Sequence, residues 1–548
     1  MPERFTVRRQ LDFSLLPRTT ALFRDYVNDY RKVAEFYPTD PHRLAETLDP
    51  EKVLAKRNFS RQRLAEILEA QNKKLGCGPQ ALANIDLLRR RDTLVVITGQ
   101  QVGLFTGPLF TIYKALTVVQ LARQLSQRFP FHFLPLFWMA SDDHDYAEVN
   151  SIALLDRSNK LVTLRHEGDQ PSGLPVGTLR LGPEIESLLT HLDQALPDSE
   201  FKAEAMQLLR AAYRPGATFS QAFGRAMLSL FAQDGLILVD PADLGLKRLA
   251  VPIFQKELES APQSAELVAR RGNQLVKRGY HAQIKPALQA VNLFLLVDGA
   301  RAALMRRGQG FSLKKAKQVF STDKLIGFLE DSPERFSPNV VLRSLVQDHL
   351  FPVAAYVAGP AEIAYFAQLG EVYGLFGLPM PAIYPRISLT LLERRVGELL
   401  SSFGLEVEDV FVEEGRLVGQ VAEQQVPGEL DQLFDSSRQQ IQEAFGALSE
   451  KVIAFEPTLK KYLQASAGKV DHQLTAVRRK LLQAQRARDA QLRGQVSRVS
   501  RHLFPSGRLQ ERVLNIFPFL TRHGPKMIDE LGQISSVPWK HMAIEIGR

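Results

Sequence analysis

Leu94-Val95-Val96-Ile97-Thr98-Gly99-Gln100-Gln101-Val102-Gly103-Leu104-Phe105-Thr106-Gly107-Pro108 is the stretch whose reading decides the fold. An apolar, strand-like run breaks into a glycine loop, and Leu109 to Leu116 continues with helical spacing. A second apolar run, Phe133 to Met139, passes directly into Ser141-Asp142-Asp143-His144-Asp145. Strand, loop, helix, strand and polar cluster make one βαβ unit. Its polar residues fall at the carboxyl ends of both strands, where open parallel sheets bind ligands. Gly99, Gly103 and Gly107 permit positive φ and close backbone approach. Pro108 suits a first helical position, and the helix behind it would turn free N–H groups toward an anion. Gln100, Gln101 and Thr106 add uncharged hydrogen-bonding groups. The spacing is neither G-x-G-x-x-G nor a Walker A loop, since no Lys-Ser/Thr follows the last glycine. An ordinary tight β–α turn would read the same way.

Outward from this unit, residues 1–90 read as a helical part of the core and 91–160 as its first half. Residues 161–232 read as an inserted connecting segment, with short alternating runs broken by Gly168, Pro171-Ser172-Gly173 and Pro175. Residues 233–400 supply the second half, with a further insertion near 280–335. There, Gly235 to Pro241, Pro352 to Val357 and Met380 to Tyr384 are compact apolar runs that end in polar turns. Strands alternating with helices predict an α/β, doubly wound parallel sheet. Residues 401–505 change grammar: Ile441, Phe445, Leu448, Val452 and Phe455, then Val470, Leu474, Val477, Leu481 and Ala484, are heptad-like seams. Glu456-Pro457 separates them, predicting an antiparallel helical coiled coil. Residues 506–548 are expected to pack back on the core.

The 548 residues suggest about three or four domain-sized units, and 45% hydrophobic content supplies a real core. The single cysteine, Cys77, excludes an internal disulfide or a cysteine-rich zinc site. With no secretory h-region and no apolar run of spanning length, a cytoplasmic protein without membrane contact is expected. The net charge is +9, and Lys469 to Pro505 alone holds nine Lys/Arg against two Asp. Glu429 to Lys451 holds five acidic and two basic residues. Complementary charge along the helix pair is one account of the basic excess, and a basic face that binds a nucleotide or nucleic acid is the other. The absence of interleaved aromatics from Val470 to His502 argues against nucleic acid.

Asp142, Asp143 and His144 are the candidate acid/base residues. A carboxylate could orient or deprotonate an attacking ammonium group, and imidazole titrates near neutrality. A helix N-cap cluster would use the same residues. Adjacent side chains rarely converge on one ion, so no metal is expected. Asn339, Arg343 and Gln347 share a helical face, and Arg343 could clamp a carboxylate or phosphate. Arg386, just after a strand, is the analogous candidate in the other half. Lys114 lies two turns into the first helix, within reach of the loop or only of solvent.

Several long motifs, in order, closely resemble the bacillithiol biosynthesis cysteine-adding enzymes. They are Ile97 to Gln101 with Leu104 to Pro108, Trp138 to Asp145, Ser337-Pro338-Asn339 with Arg343, Ala358 to Tyr365, and Leu503-Phe504-Pro505 with Leu509 to Arg512. One departure is Ser344, where many members carry proline. The resemblance implies joining L-cysteine to the amine of glucosaminyl-malate through an amide bond. It implies a Rossmann-like core similar to nucleotidyltransferases and class I aminoacyl-tRNA synthetases, with inserted connecting segments and a coiled coil serving a homodimer. With that chemistry in view, the residues expected to bind substrate are Gly99, Gln100, Gln101, Thr106, Gly107, Trp138, Asn339, Arg343 and Arg386. A His-x-Gly-His signature is missing from the Gly99–Gly103 loop. Amide formation still requires an activated carboxyl group, so ATP or another nucleotide is the expected co-substrate. Two other readings use the same features: a related amino-acid ligase or nucleotidyltransferase with another amine, and a non-catalytic nucleotide-binding coiled-coil protein.

Overall fold

A computed structural model describes residues 4–55, 58–168, 173–287, 289–314, 319–424, 428–488, 490–534 and 538–547. Pro171 and Ser172, expected to break the first insertion, lie outside the described residues. The chain forms two compact units, residues 1–391 with 510–547, and residues 392–509.

At the centre of the first unit is a five-stranded, all-parallel sheet. Across the sheet the order is Ala382–Pro385, Val353–Ala358, Thr93–Gln100, His132–Met139, Ile237–Val239. This is a doubly wound, Rossmann-like arrangement, and the order reverses between Thr93–Gln100 and Val353–Ala358. Leu94 to Ile97 and Leu134 to Met139 are buried. Near-continuous apolar runs of this kind follow from helices covering both faces of a parallel sheet. The helix Leu109–Arg128 buries Ile112, Tyr113, Leu116, Val119 and Leu125.

The segment expected near 280–335 is a second, antiparallel sheet. Its order is Val319–Phe320, Gly310–Leu313, Ala300–Arg307, Ala290–Val297, Phe336–Pro338. Asp298 and Gly299 both have positive φ, +50° and +80°, as a tight hairpin built on an Asp-Gly pair requires. The hairpin Ser151–Leu155 with Leu161–Arg165 crosses the boundary expected near residue 160, so only its second strand falls in the other insertion.

Three expectations need correction. The first 90 residues are not all helical: strand Phe5–Leu11 pairs antiparallel with His541–Ile546 near the other end of the chain. Its polar sequence gives no local sign of a partner so distant. The sequence from Ile363 to Phe376 predicts one helix, and the structure has two, Pro360–Phe366 and Gly370–Phe376. The glycine loop is also not open, as the site geometry shows.

In the second unit, helices Gly428–Phe455 and Lys460–Arg488 are joined through the turn at Pro457–Leu459. Arg438 pairs with Asp471 at 2.8 Å and Asp431 with Arg478 at 2.5 Å, a crossed order that makes the pair antiparallel. Opposite charges therefore meet along it, which gives part of the basic excess a structural use.

Candidate active site

The Asp142–His144 turn is held by its backbone. Ser141 N–H donates to Met139 O at 2.7 Å and Asp143 N–H to Ala140 O at 3.3 Å. From the first insertion, Val176 N–H donates to Asp143 O at 2.6 Å and Gly177 N–H to Ser141 O at 2.9 Å. A Cβ on Gly177 would lie 2.4 Å from the Ser141 Cβ, so glycine is what permits this approach. Ser141 Oγ donates to Asp240 Oδ1 at 2.6 Å. The turn is thus fixed from two sides.

Its side chains line a cavity of ≈190 Å³ with Trp138, Phe294, Arg301, Asn339 and Arg343. Within it the two carboxylates differ. Asp142 Oδ2 accepts from the buried Lys247 Nζ at 2.6 Å, and Lys247 also donates to Phe336 O at 2.9 Å. Asp143 is more open. Its Oδ2 accepts from Gln101 Nε2 at 2.7 Å and its Oδ1 from the His144 N–H at 2.7 Å. Arg301 projects from the antiparallel sheet. Its Nε donates to Ser337 Oγ at 2.9 Å, its Nη2 to Pro338 O at 3.0 Å, and its Nη1 to His144 Nδ1 at 3.2 Å. The guanidinium stacks on Phe294, 4.1 Å from the ring centre. Burial lowers the Arg301 pKa, against the opposing pull of Asp142 and Asp143.

Asn339 caps the helix Val340–Leu350, its Oδ1 accepting from the Val341 and Leu342 N–H groups. One turn on, Arg343 is charged and enclosed. Burial opposes its charge, but Tyr365, Tyr356 and Glu362 more than compensate and its pKa is raised. Its Nη2 donates to Tyr365 Oη at 3.3 Å, whereas its buried Nε has no protein partner. Gln347, a turn further, is buried with both amide atoms unpartnered. Such groups carry a desolvation cost until something pairs with them.

Behind this wall Lys114 is buried and fully engaged, with Gly99 O at 2.7 Å, Gln100 Oε1 at 3.1 Å and Glu362 Oε2 at 2.6 Å. Burial lowers its pKa, and Glu362 opposes the shift. Lys114 therefore reaches the loop rather than solvent.

Of the sequence-predicted residues, Trp138, Asp142, Asp143, His144, Asn339 and Arg343 line the cavity together. Gln101 touches it through Asp143, and Gly99 and Gln100 contact Lys114. Thr106 and Gly107 are elsewhere. The loop expected to hold an anion is filled by the protein. Thr106 N–H donates to Tyr213 Oη at 3.1 Å, Gly107 N–H to Leu104 O at 2.8 Å, and Leu109 N–H to Leu514 O at 2.9 Å. Asn515 Nδ2 bonds Phe105 O at 2.8 Å and Gly107 O at 2.7 Å. The Thr106, Gly107 and Leu109 amide groups are thus spent within the protein, and Val102 to Gly107 are buried, so the loop does not fit a nucleotide phosphate. The glycines serve packing instead: a Cβ on Gly103 would lie 3.1 Å from Gly107 Cα, and Gly107 has φ +73°. Arg386 is also spoken for. Its two Nη atoms meet Glu511 at 2.6 and 3.0 Å in a buried bidentate pair.

Sequence reasoning missed Lys247, Phe294 and Arg301. The Asp298-Gly299 pair could have located the hairpin that carries Arg301, but nothing in the sequence distinguishes this arginine from its neighbours. Among the described residues no group of three or more His, Cys, Asp and Glu side chains is arranged around a common metal position. None of the described helices is long and apolar enough to cross a membrane.

Comparison with known proteins bears on both units. Residues 10–387 match the family described as Bacillithiol biosynthesis BshC, N-terminal Rossmann-like domain. Residues 389–546 match Bacillithiol biosynthesis BshC, C-terminal coiled-coil domain. The chain is 38% identical over 514 residues to a Salinibacter ruber protein named "Putative cysteine ligase BshC", covering 93% of each. Proteins of the same name from Koribacter versatilis and Chlorobaculum tepidum are 35% and 36% identical. They cover 97% and 94% of this chain and 98% and 92% of their own lengths. The chain belongs to the bacillithiol biosynthesis BshC family.

Proposed function

We propose that this protein is a cysteine ligase, joining the carboxyl group of L-cysteine to the amine of glucosaminyl-malate as an amide. The observation that carries the reading is one cavity where an accessible carboxylate, Asp143, faces two guanidinium groups, Arg301 and Arg343. An amine substrate arrives as an ammonium ion and must lose a proton before it can attack. A carboxylate at the cavity wall can bind that ion and take the proton. Arg343, with an unpartnered Nε, suits a malate carboxylate. Arg386 is left out of this role, since Glu511 occupies its fork.

The cysteine carboxyl group needs activation, and a nucleoside triphosphate is the proposed co-substrate. The Gly99–Pro108 loop does not fit its phosphates. The enzyme would act in the cytoplasm as a homodimer. Leu433, Leu448, Phe455, Tyr462 and Val477, apolar side chains exposed on the helical pair, support such an association.

The test has two arms. A deletion strain should accumulate glucosaminyl-malate and lack its cysteinyl product. Purified protein supplied with cysteine, glucosaminyl-malate and each nucleoside triphosphate in turn should form the amide. Unchanged glucosaminyl-malate in the deletion strain defeats the reading.

A further inference from the structure

We infer that Arg301 is a positioning residue that holds His144 as a hydrogen-bond donor toward the acyl oxygen, leaving Asp143 to receive the proton of the amine. The inference rests on the ligase reading for its chemistry, but its structural half stands alone.

The geometry concerns one ring nitrogen. Arg301 Nη1 lies 3.2 Å from His144 Nδ1. A guanidinium can only donate, so Nδ1 must accept and carries no proton. The competing acceptor for an Nδ1 proton, Asp143 Oδ1, lies 3.6 Å away, beyond hydrogen-bond range. A neutral ring then carries its proton on Nε2. Arg301 is itself fixed, by Ser337 Oγ, Pro338 O and the Phe294 ring. Its donation therefore comes from a set position rather than from a mobile side chain.

The two carboxylates then separate by role. Asp142 is neutralised by the Lys247 ammonium at 2.6 Å. Asp143 has only a 3.8 Å approach to Arg301 and stays partly open to the cavity. In the reaction, the ammonium proton passes to the Asp143 carboxylate. The freed nitrogen pair bonds to the acyl carbon, and the carbonyl π pair moves onto oxygen. That oxygen takes the hydrogen bond from His144 Nε2–H. The acyl donor carries a phosphate-type leaving group: as the oxygen pair re-forms the carbonyl, that group departs with its bonding pair, and a phosphate oxygen takes the second nitrogen proton, leaving the neutral amide.

Ring-labelled ¹⁵N histidine reads the tautomer directly, at a pH well above the usual imidazole range. The chain has 11 histidines, and loss of one signal set in His144→Gln identifies the residue. A single form with Nδ1 unprotonated is expected in the wild type and in Arg301→Lys, and a mixture in Arg301→Met. A proton on Nδ1, or a wild type as mixed as Arg301→Met, overturns the inference. Kinetics give the second readout. His144→Gln keeps a donor but cannot act as a base, so its kcat should stay well above that of His144→Phe. His144→Phe should lose roughly 10²–10³-fold, the usual effect of removing one oxyanion donor. Equal loss in both variants overturns the donor role. If the ligase reading itself fails, the wild type makes no amide while the tautomer result is unaffected.

Discussion

Two turns leave the same edge of the parallel sheet after neighbouring strands, and they have opposite fates. Gly99–Pro108 carries the glycines and the helix start that sequence reasoning associates with anion binding, yet it is closed by Tyr213, Leu514 and Asn515. Ser141–Asp145 lacks any loop signature, yet its side chains open onto the cavity. The difference teaches that glycine in a β–α loop reports close backbone packing, and that ligand access is a separate matter. Whether the freed N–H groups meet a ligand or the protein depends on what returns to cover them. Here residues 514–515 do.

The largest expected effect falls on the open turn. Asp143→Asn should lower kcat by about 10²–10⁴-fold, the range for losing a general base, with the urea midpoint unchanged. A stability loss without a specific kcat loss would assign Asp143 to the same class as the buried turn. Next comes the clasp that fastens the chain's last segment to the core. Glu511→Ala leaves Arg386 charged and unpaired in the interior, which costs about 3–5 kcal/mol, read by chemical denaturation.

Acid should act on that same clasp. His541 is buried between Ser388 and Thr390, and burial pushes its pKa down to about 4. Between the ordinary value near 6.5 and about 4, the unfolded chain binds a proton that the folded one refuses. Stability is therefore intact above about 6.5 and falls as the pH drops to about 4, by about 3 kcal/mol for this group. Denaturation at stepped pH should show a shallower fall in His541→Gln than in the wild type. Smallest is Asn515→Ala, which strips two carbonyls of the closed turn of their partner and should cost about 1–3 kcal/mol. Its kcat should not change. A nucleotide-dependent rate gain in this variant would reopen the turn as a binding site.

Lone side-chain roles were the least legible part of the sequence. Asn339 and Arg343 could be placed on one helical face because their spacing is local. Arg386 looked equivalent to Arg343, since each is a basic residue next to a sheet element. What separates them is a carboxylate 125 residues away. Asp142 and Asp143 likewise look interchangeable until Lys247, 105 residues on, takes one of them.

Leu448, Phe455 and Val477, expected in the helical seams, are exposed instead. By itself the sequence determined the alternation of strand and helix, the polar residues at strand ends, and the pair of long helices. Each of these is written in residues a few positions apart, where periodicity and turn chemistry act. Only the tertiary structure decided which turn is filled and which is open, which arginine is free, and which nitrogen of His144 accepts. Those outcomes depend on partners as far as 410 residues apart. Burial makes such a partner decisive, because an enclosed charge or N–H group must be satisfied by whatever the fold brings to it.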